Sequence, residues 1–381
     1  MKFMKSKKGF GTYLGIITFA LLFLFIGNKI AMYNIIEFKN NDYEIASAKV
    51  KRIINITRES HDSETVVFEA HVRSGVAKGE TITVTKNINK SYPVATFNIK
   101  KGDKVLLIYT ETLIDSPNEW QYLDHERVNL MILLVIIFIV LLLLFGRYKG
   151  FNALLALGFT SMAIFTVFVP SIFSGKNIYI SSIITCLFSI IITLFLLNGI
   201  NKKSITAIIG CMGGVIIAGV LTLIMNNLLK LSGWTTDESM HLAYLPATNP
   251  INLRAIIFSG VIIGAVGAIM DVAVSISAAL WELREKAEDL TFQSIFDSGI
   301  NIGRDIMGSM VNTLVLAYIG SSLTVLLLLM ANSSSLIDLF NRELVVVELL
   351  QALVGSMGIL FTMPLTALAC AFLYLKKSPE K

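Results

Sequence analysis

The residues best suited to chemistry are ionisable side chains inside long apolar stretches. Asp271 lies within the segment GAVGAIMDVAVSISAALWEL, which runs from 264 to 283 and has no other charged residue before Glu282. An acid at the centre of a membrane span costs at least about 2.5 kcal/mol, so such groups usually relay protons or bind cations. Asp271 is therefore the first candidate for a functional residue.

A face of small residues accompanies this acid. Gly260, Gly264, Gly267 and Asp271 recur at i, i+4, i+7 and i+11, which places them on one side of a helix. Ser275 and Glu282 continue the same face. Because glycines let a second backbone approach closely, Asp271 is expected to face a neighbouring helix rather than lipid.

The next apolar stretch supplies the expected neighbour. Asp305, Ser309 and Asn312 fall on one face at i, i+4 and i+7, and Gly308 and Thr313 flank it. Counting about 1.5 Å per residue from the helix ends puts Asn312 and Thr313 level with Asp271. The same count puts Arg304 and Asp305 nearer the cytoplasmic surface, level with Glu282.

The sequence therefore predicts two polar layers between these helices. The midplane layer is an intramembrane polar site made of Asp271, Ser275, Ser309, Asn312 and Thr313. The inner layer is an ion-pair network made of Glu282, Arg304 and Asp305. Gly260, Gly264, Gly267 and Gly308 are predicted to pack helices together. A purely structural role for both layers stays open, because hydrogen bonds between spans average about 0.6 kcal/mol yet hold helices in register.

Several kinds of catalytic site are excluded by the residues. The chain has no GxxxxGKS phosphate loop, so any driving force would be an ion gradient or the ATPase of a partner. It has no HExxH zinc motif, and its predicted spans contain no histidine. Paired aspartates need a separation of about 3 Å, whereas the count above separates Asp271 from Asp305 by about 15 Å. No enzyme activity, cofactor or metal site is predicted.

Composition identifies the elements that must position these groups. Of 381 residues, 54% are hydrophobic and 15% are charged, and the mean hydropathy is +0.70. Soluble domains carry about 25% charged residues. The predicted class is a polytopic α-helical membrane protein with about eight transmembrane helices, whose hydrophobic surface contacts the lipid bilayer. The spans are placed near 11–33, 129–146, 151–173, 178–198, 204–228, 254–281, 304–331 and 345–374.

One hydrophilic block, 34–128, separates the first span from the second. It alternates apolar and polar residues like β-strands, which are placed at 47–56, 64–72, 80–85, 94–99 and 104–110. We expect a small β-rich domain, a sandwich or an open barrel. It lacks the interleaved aromatic and basic residues that single-stranded nucleic acid needs, so no nucleic-acid partner is predicted.

The distribution of basic residues predicts the orientation. Lys and Arg concentrate in segments that share one side of the membrane, among them Arg147, Lys149, Lys202 and Lys203. The predicted organisation is a cytoplasmic N-terminus at 1–10, a transmembrane anchor at 11–33, an extracytoplasmic β-rich domain at 34–128, a seven-helix core at 129–375 and a cytoplasmic tail at 376–381. Both termini are then cytoplasmic. The basic start followed by an apolar run also fits a signal peptide, but an uncleaved anchor is favoured because no clear cleavage site follows.

Two blocks of sequence resemble the YibE/F family of bacterial membrane proteins. The first block consists of Gly264-Ala265, Gly267-Ala268, Asp271-Val272, Ser275-Ile276 and Glu282-Leu283. The second consists of Ser298-Gly299, Asn301-Ile302-Gly303-Arg304-Asp305, Asn312-Thr313-Leu314, Ala317-Tyr318 and Gly320. The resemblance covers the seven C-terminal spans. It implies a multi-pass protein of the bacterial cell membrane, from a family of unknown function whose members are often described as transporters, and it names no substrate.

The resemblance also implies partners. The anchor and outer domain ahead of the core look like the longer, YibE-like member of a pair, so a shorter YibF-like membrane protein or a second copy of this chain would be the partner.

Three functional hypotheses follow. The leading one is a transporter or channel component in which Asp271 titrates or coordinates an ion. The second is a membrane scaffold or assembly subunit whose outer domain binds an envelope partner. The third is an intramembrane hydrolase, which would need Asp271 and Asp305 to meet.

Overall fold

The structure is a computed structural model. It describes residues 7–33, 43–58, 63–75, 77–89, 99–110, 120–245, 250–287 and 289–375. The cytoplasmic tail predicted at 376–381 lies outside the described residues, as does most of the strand predicted at 94–99. The chain divides into two compact units, one formed by Met1–Ile36 with Leu143–Lys381 and the other by Glu37–Leu142.

The smaller unit contains a β-barrel. Five strands are seen in the described part of the chain: β1 (Tyr43–Arg58), β2 (Ser63–Val72), β3 (Thr81–Asn89), β4 (Lys104–Thr110) and β5 (Trp120–His125). They close in the order β1-β2-β3-β5-β4, with β3 and β5 parallel and the other pairs antiparallel. Alternate residues fill the interior, and Phe68, Val84 and Leu107 are all 0% exposed. The expected β-rich domain is confirmed as a barrel, and the barrel is closed rather than open.

The larger unit is helical. Its long helices are α1 (Lys7–Met32), the part of α2 (Val128–Ala163) from Leu143 onward, α4 (Ile178–Asn198), α5 (Lys202–Leu228), α7 (Leu253–Lys286), α8 (Phe292–Asn332) and α10 (Glu343–Leu375). The short ones are α3 (Val169–Phe173), α6 (Asp237–Ala243) and α9 (Leu336–Asn341). Within the described ranges, seven helical stretches are long and apolar enough to cross a membrane.

The difference between eight predicted spans and seven observed stretches arises at Arg147. The structure joins the predicted spans 129–146 and 151–173 into one stretch, Val128–Phe173. Arg147 breaks its helical geometry with φ 47° and ψ −126°, so the predicted boundary is seen as a kink rather than as a loop.

The start of α8 differs more from the prediction. The sequence placed the span at 304–331 with a cytoplasmic loop ahead of it, whereas the helix begins at Phe292. Thr291 and Ser294 form a capping box that fixes this beginning, since each side chain accepts a hydrogen bond from the backbone N–H of the other. A polar first turn hides such a helix from a search for apolar runs.

Helices α5 and α10 pack together most closely. A Cβ added at Gly210 would overlap Thr366, and one at Gly214 would overlap Thr362. The threonine hydroxyls donate back to carbonyls of their own helix, Thr362 Oγ1 to Gly358 O at 2.7 Å and Thr366 Oγ1 to Thr362 O at 2.8 Å. The glycines thus let the two helices approach without a gap, and the threonine hydroxyls keep a hydrogen-bond partner within their own helix. We call this contact the α5–α10 seam.

Helix α1 packs against a π-helical turn that separates α2 from α3, Ile164–Phe168. Asn28 Nδ2 donates to the carbonyl oxygen of Thr166 in that turn at 2.8 Å. Phe23 stacks on Phe188 of α4 with ring centroids 4.0 Å apart. The first helix is therefore part of the helical unit.

Candidate functional site

The small and polar face of α7 is exposed. Gly260, Gly264, Gly267, Asp271 and Ser275 all lie on the open side of the helix. The opposite side contains Ile269, Val272 and Ile276, each 0% exposed in the main hydrophobic core. Sequence periodicity grouped these five residues, and we call them the α7 stripe.

Helix α8 also turns polar residues away from the core. Asn301, Arg304, Asp305, Gly308, Ser309, Asn312 and Thr313 are all exposed. The buried side of the helix packs on α10, where a Cβ at Gly303 would overlap Met363 and Leu314 contacts Gly355. We call the exposed residues the α8 polar face. The helix that carries this face is long and apolar enough to cross a membrane.

Two contacts fix the relative height of α7 and α8. The Tyr318 side chain of α8 covers Gly264 of α7, and Gly299 of α8 lies against Leu280 of α7. Asp271 lies seven residues from Gly264, or about 10 Å, and Asn312 lies six residues from Tyr318, or about 9 Å. The two residues are therefore at the same level on antiparallel helices.

The polar side chains at this level do not bond across the two helices. Among described residues, no hydrogen bond or ion pair joins Asp271 to Asn312 or to Thr313. The α8 hydroxyls bond within their own helix instead, Ser309 Oγ to Ile306 O at 2.9 Å and Thr313 Oγ1 to Ser309 O at 2.8 Å. Asp271 was expected to face a neighbouring helix, and the structure shows it facing outward.

The predicted inner ion-pair network is not formed in the part of the chain that the structure describes. Arg304 and Asp305 are adjacent on the exposed side of α8, and neither contacts Glu282. Glu282 instead attracts Lys203 at the start of α5, and Lys149 lies close enough to repel the same lysine. The height estimate explains the difference, because α8 begins three turns earlier than expected.

The four predicted packing glycines differ in their surroundings. Gly264 is covered by Tyr318, and Gly260 lies near Gln351 of α10, whose Nε2 would be 3.5 Å from an added Cβ. Around Gly267 and Gly308 an added Cβ would meet nothing described within 4 Å. The α7 stripe is therefore closed at one end and open from Gly267 onward.

Sequence reasoning missed a buried polar cluster at the end of the α5–α10 seam. Tyr374 is 2% exposed, and its hydroxyl donates to the carbonyl of Ser277 at 3.0 Å and lies 3.1 Å from Thr206 Oγ1. Tyr318 is the contrasting case, because its hydroxyl is buried without a described partner. From sequence alone, Tyr374 near a helix end looks like an anchor at the membrane interface. Only the packing shows that its hydroxyl is bonded inside the protein whereas that of Tyr318 is not.

The described residues hold no group of three or more His, Cys, Asp or Glu side chains that could bind a metal ion. At the level of Asp271 and Asn312, the available chemistry is that of one carboxylate near amide and hydroxyl oxygens, while Arg304 and Asp305 lie nearer the start of α8. Such a set can exchange a proton or hold a monovalent cation transiently.

The sequence profile of the YibE/F-like protein family matches residues 134–376, which include both polar faces. The chain belongs to this family. No curated protein and no solved structure matches the chain. Family membership supports the helical architecture and identifies no reaction, so function has to be argued from the site.

Proposed function

We propose that this protein is a multi-pass membrane protein that forms part of a transporter or channel for protons or small cations. The observation that carries the proposal is the exposed stripe of Asp271 and Ser275 at the level of Asn312. Both helices are long and strongly apolar, and burying a carboxylate against lipid costs at least about 2.5 kcal/mol. The stripe therefore needs water or protein beside it.

The two polar faces suit the wall of a pathway. Asp271 supplies the one negative charge of the α7 stripe, while Asn312 and Thr313 supply neutral oxygens at the same level. Gly267 leaves space beside the acid. In this function an ion or proton is held at Asp271 and released as the surroundings of the carboxylate change.

A second copy of this chain completes the pathway. An interface around a two-fold axis joins one patch to itself, so the patch must be self-complementary. The exposed surface carries both signs of charge, since Arg304 lies next to Asp305 on α8 and Asp271 lies on α7. In the membrane, pairing of two copies would shield these charged groups from lipid, with which they cannot form hydrogen bonds.

The orientation expected from basic residues places the barrel outside the cell, and both chain ends in the cytoplasm. The membrane is then the bacterial cytoplasmic membrane, where a gradient of protons or sodium ions can drive transport.

The decisive experiment measures ion flux into liposomes that contain the purified full-length protein. Asp271→Asn keeps the size of the side chain and removes the titratable charge, so flux should fall to background while the protein still inserts and elutes as the wild type does. Asp297→Asn is the matched control, because Asp297 is an exposed acid of α8 that bonds Gln293 in its own helix. Wild-type flux in Asp271→Asn, or equal loss in both variants, contradicts the proposal.

The second copy is tested separately by crosslinking. Gly308→Cys introduces a thiol on the α8 polar face, and oxidation should give a disulfide-linked dimer in membranes. The native cysteines are buried and provide a low background. A Gly308→Cys protein that stays monomeric after oxidation contradicts the dimer and leaves the flux experiment to judge the pathway.

A further inference from the structure

The barrel carries a basic groove that the proposed function does not use. It is an open cavity of about 820 Å³ at the end of β2 and beside the middle of β1. Among the described residues, its lining includes six basic side chains and no acidic one: Lys49, Lys51, His71, Arg73, Lys78 and Lys101. All six are exposed.

Two turns with the same construction form the rim. Gly79 and Gly102 both adopt positive φ, 94° and 96°, and each follows a lysine. Gly79 N donates to Val72 O at 3.0 Å, and Gly102 N donates to Val50 O at 2.9 Å. These bonds dock Lys78-Gly79 onto the end of β2 and Lys101-Gly102 onto β1, so a lysine stands on each side of the groove.

A β-bulge directs Lys51 toward the groove. The register of β1 against β2 shifts between Val50 and Arg52, which leaves Lys51 as the extra residue. A bulge lets two successive side chains point outward. Arg52 then pairs with Glu69 at 2.5 Å, whereas Lys51 lines the groove.

The basic residues of the groove differ from other basic residues of the barrel in their partners. Arg52 lowers the pKa of Glu69, and Arg127 lowers the pKa of Asp124, each mainly through a side-chain hydrogen bond. Lys86 lies over the Tyr122 ring at 4.3 Å. In the described part of the chain, none of the six groove residues makes an ion pair. A cleft lined by one sign of charge concentrates counter-ions.

We propose that this groove binds a linear polyanion whose charges are phosphate groups. Lysines bind phosphate as point charges, and Arg73 offers a planar fork for two phosphate oxygens. Among the described residues the lining has no Phe, Tyr or Trp side chain and only one ring, that of His71, so it offers no row of rings on which successive bases could stack; the ligand is therefore a phosphate polymer without bases. The concave shape, with cations on both sides, fits an extended chain better than a flat membrane surface.

The test uses the full-length protein in uncharged detergent and a short fluorescein-labelled polyphosphate, followed by fluorescence anisotropy. The groove variant Lys49→Gln, Lys51→Gln, Arg73→Gln should raise Kd about tenfold or more. The control variant Arg52→Gln, Lys86→Gln, Arg127→Gln removes the same charge outside the groove and should change Kd less than about twofold. Raising the salt concentration should weaken wild-type binding more steeply than binding by the groove variant.

A second variant guards against misfolding. Lys78→Gln with Lys101→Gln changes only the exposed turns and should weaken binding in the same direction, with an unchanged circular dichroism spectrum. Equal losses in the groove and control variants would reduce the effect to bulk charge and overturn the site. Binding to vesicles of anionic phospholipid without binding to polyphosphate would also overturn it, and would identify a lipid headgroup as the ligand.

Discussion

The α5–α10 seam and the α7 stripe start from similar sequence patterns and reach opposite structures. Gly210 and Gly214 are spaced four residues apart, as are Gly260 and Gly264. In the seam the glycines receive Thr366 and Thr362, which are both 0% exposed, and no space remains. From Gly267 onward the stripe is open. Glycine spacing therefore permits a close helix contact without specifying whether one forms within the chain.

The seam is also bonded at both ends, unlike the stripe. At one end Tyr374 of α10 meets Thr206 of α5. At the other, Glu343 at the start of α10 accepts hydrogen bonds from Ser232 N and Ser232 Oγ at 2.7 Å each, just beyond α5. The stripe has a tyrosine contact at Gly264, and beyond it lies the Asp271 carboxylate, which has no ion-pair partner among the described residues. The polar groups of the seam find hydrogen-bond partners within the chain, whereas those of the stripe need water or another protein.

The largest difference in folding between the seam and the stripe is expected when a glycine of each is replaced by leucine. Gly214→Leu would overlap Thr362 and place its Cβ 2.9 Å from Gly358 O, so the seam cannot close without moving a backbone. Overpacking costs about 1–3 kcal/mol even where side chains can adjust, and we expect loss of folded protein on size-exclusion chromatography.

Gly267→Leu is the matched control for that variant. An added side chain meets open space there and helix propensity improves by about 1 kcal/mol, so the variant should fold normally. If both glycine variants fold equally well, the seam is less tightly packed than described.

Thiol labelling gives the next largest contrast. Cys211 and Cys370 belong to the closed core and are 0% exposed, so the native protein should react very slowly with a water-soluble thiol reagent. Ser275→Cys puts a thiol on the open stripe and should react faster by roughly a hundredfold, since a buried thiol needs a local opening of about 3 kcal/mol. Labelling is quantified by mass spectrometry. A Ser275→Cys protein that resists the charged reagent would show that water does not reach the stripe.

A tyrosine pair provides a smaller contrast. Tyr374→Phe removes the hydrogen bonds to Ser277 O and Thr206 from a buried site and should cost about 1–3 kcal/mol of unfolding free energy. Tyr318→Phe removes a hydroxyl that has no described partner, so stability should stay the same or rise. Thermal melts in detergent compare the two. Destabilisation by Tyr318→Phe in the membrane alone would point to a partner chain at that hydroxyl.

The bonded end of the seam should respond more weakly. Glu343→Gln keeps the size of the side chain but replaces one acceptor oxygen by a donor, which loses part of the binding to Ser232 and Gly233. We expect a loss of about 1 kcal/mol in the same melts, and proteolysis near 232 should become faster. An unchanged proteolysis pattern would mean that Glu343 does not hold the loop.

The smallest effect is expected at an exposed ion pair on the barrel. Arg52 lowers the pKa of Glu69 below its ordinary 4.5, so the pair adds stability at higher pH, and this stability is lost as the pH falls through the lowered value. Thermal melts at a series of pH values should reveal a slight shift in the melting temperature of the barrel that Arg52→Gln abolishes. A large shift would show that exposed pairs matter more here than in most proteins.

Sequence patterns predicted some parts of this molecule well for identifiable reasons. Apolar runs longer than a membrane's thickness located the long helices, and the break near Arg147 was visible because charge interrupts the run. The strand Trp120–His125 was missed because it is short and pairs partly with β3 in parallel, far along the chain. Strand pairing across such distances leaves no periodic signal.

The candidate site was predicted in composition and only partly in arrangement. Periodicity grouped the α7 stripe on one face, but it cannot say which way a face points when the opposite face is also apolar. The height of Arg304 and Asp305 was misjudged because the capping box at Thr291 starts α8 earlier than hydropathy indicates. The contact between Tyr374 and Thr206 forms only because α5 and α10 are neighbours in the fold. The two helices are far apart in the chain, so no local sequence pattern indicates that they pack together.

The π-helical turn at Ile164–Phe168 makes the bundle depend on its first helix. Its Thr166 carbonyl receives the Asn28 amide, and Gly27 accommodates Val167. If a peptidase removed the N-terminal segment, this carbonyl would lose its donor and the aromatic face of Phe188 would lose its stacked neighbour. Helix α1 thus supports the bundle from within the helical unit, through one amide at the π-helical turn and one ring on α4.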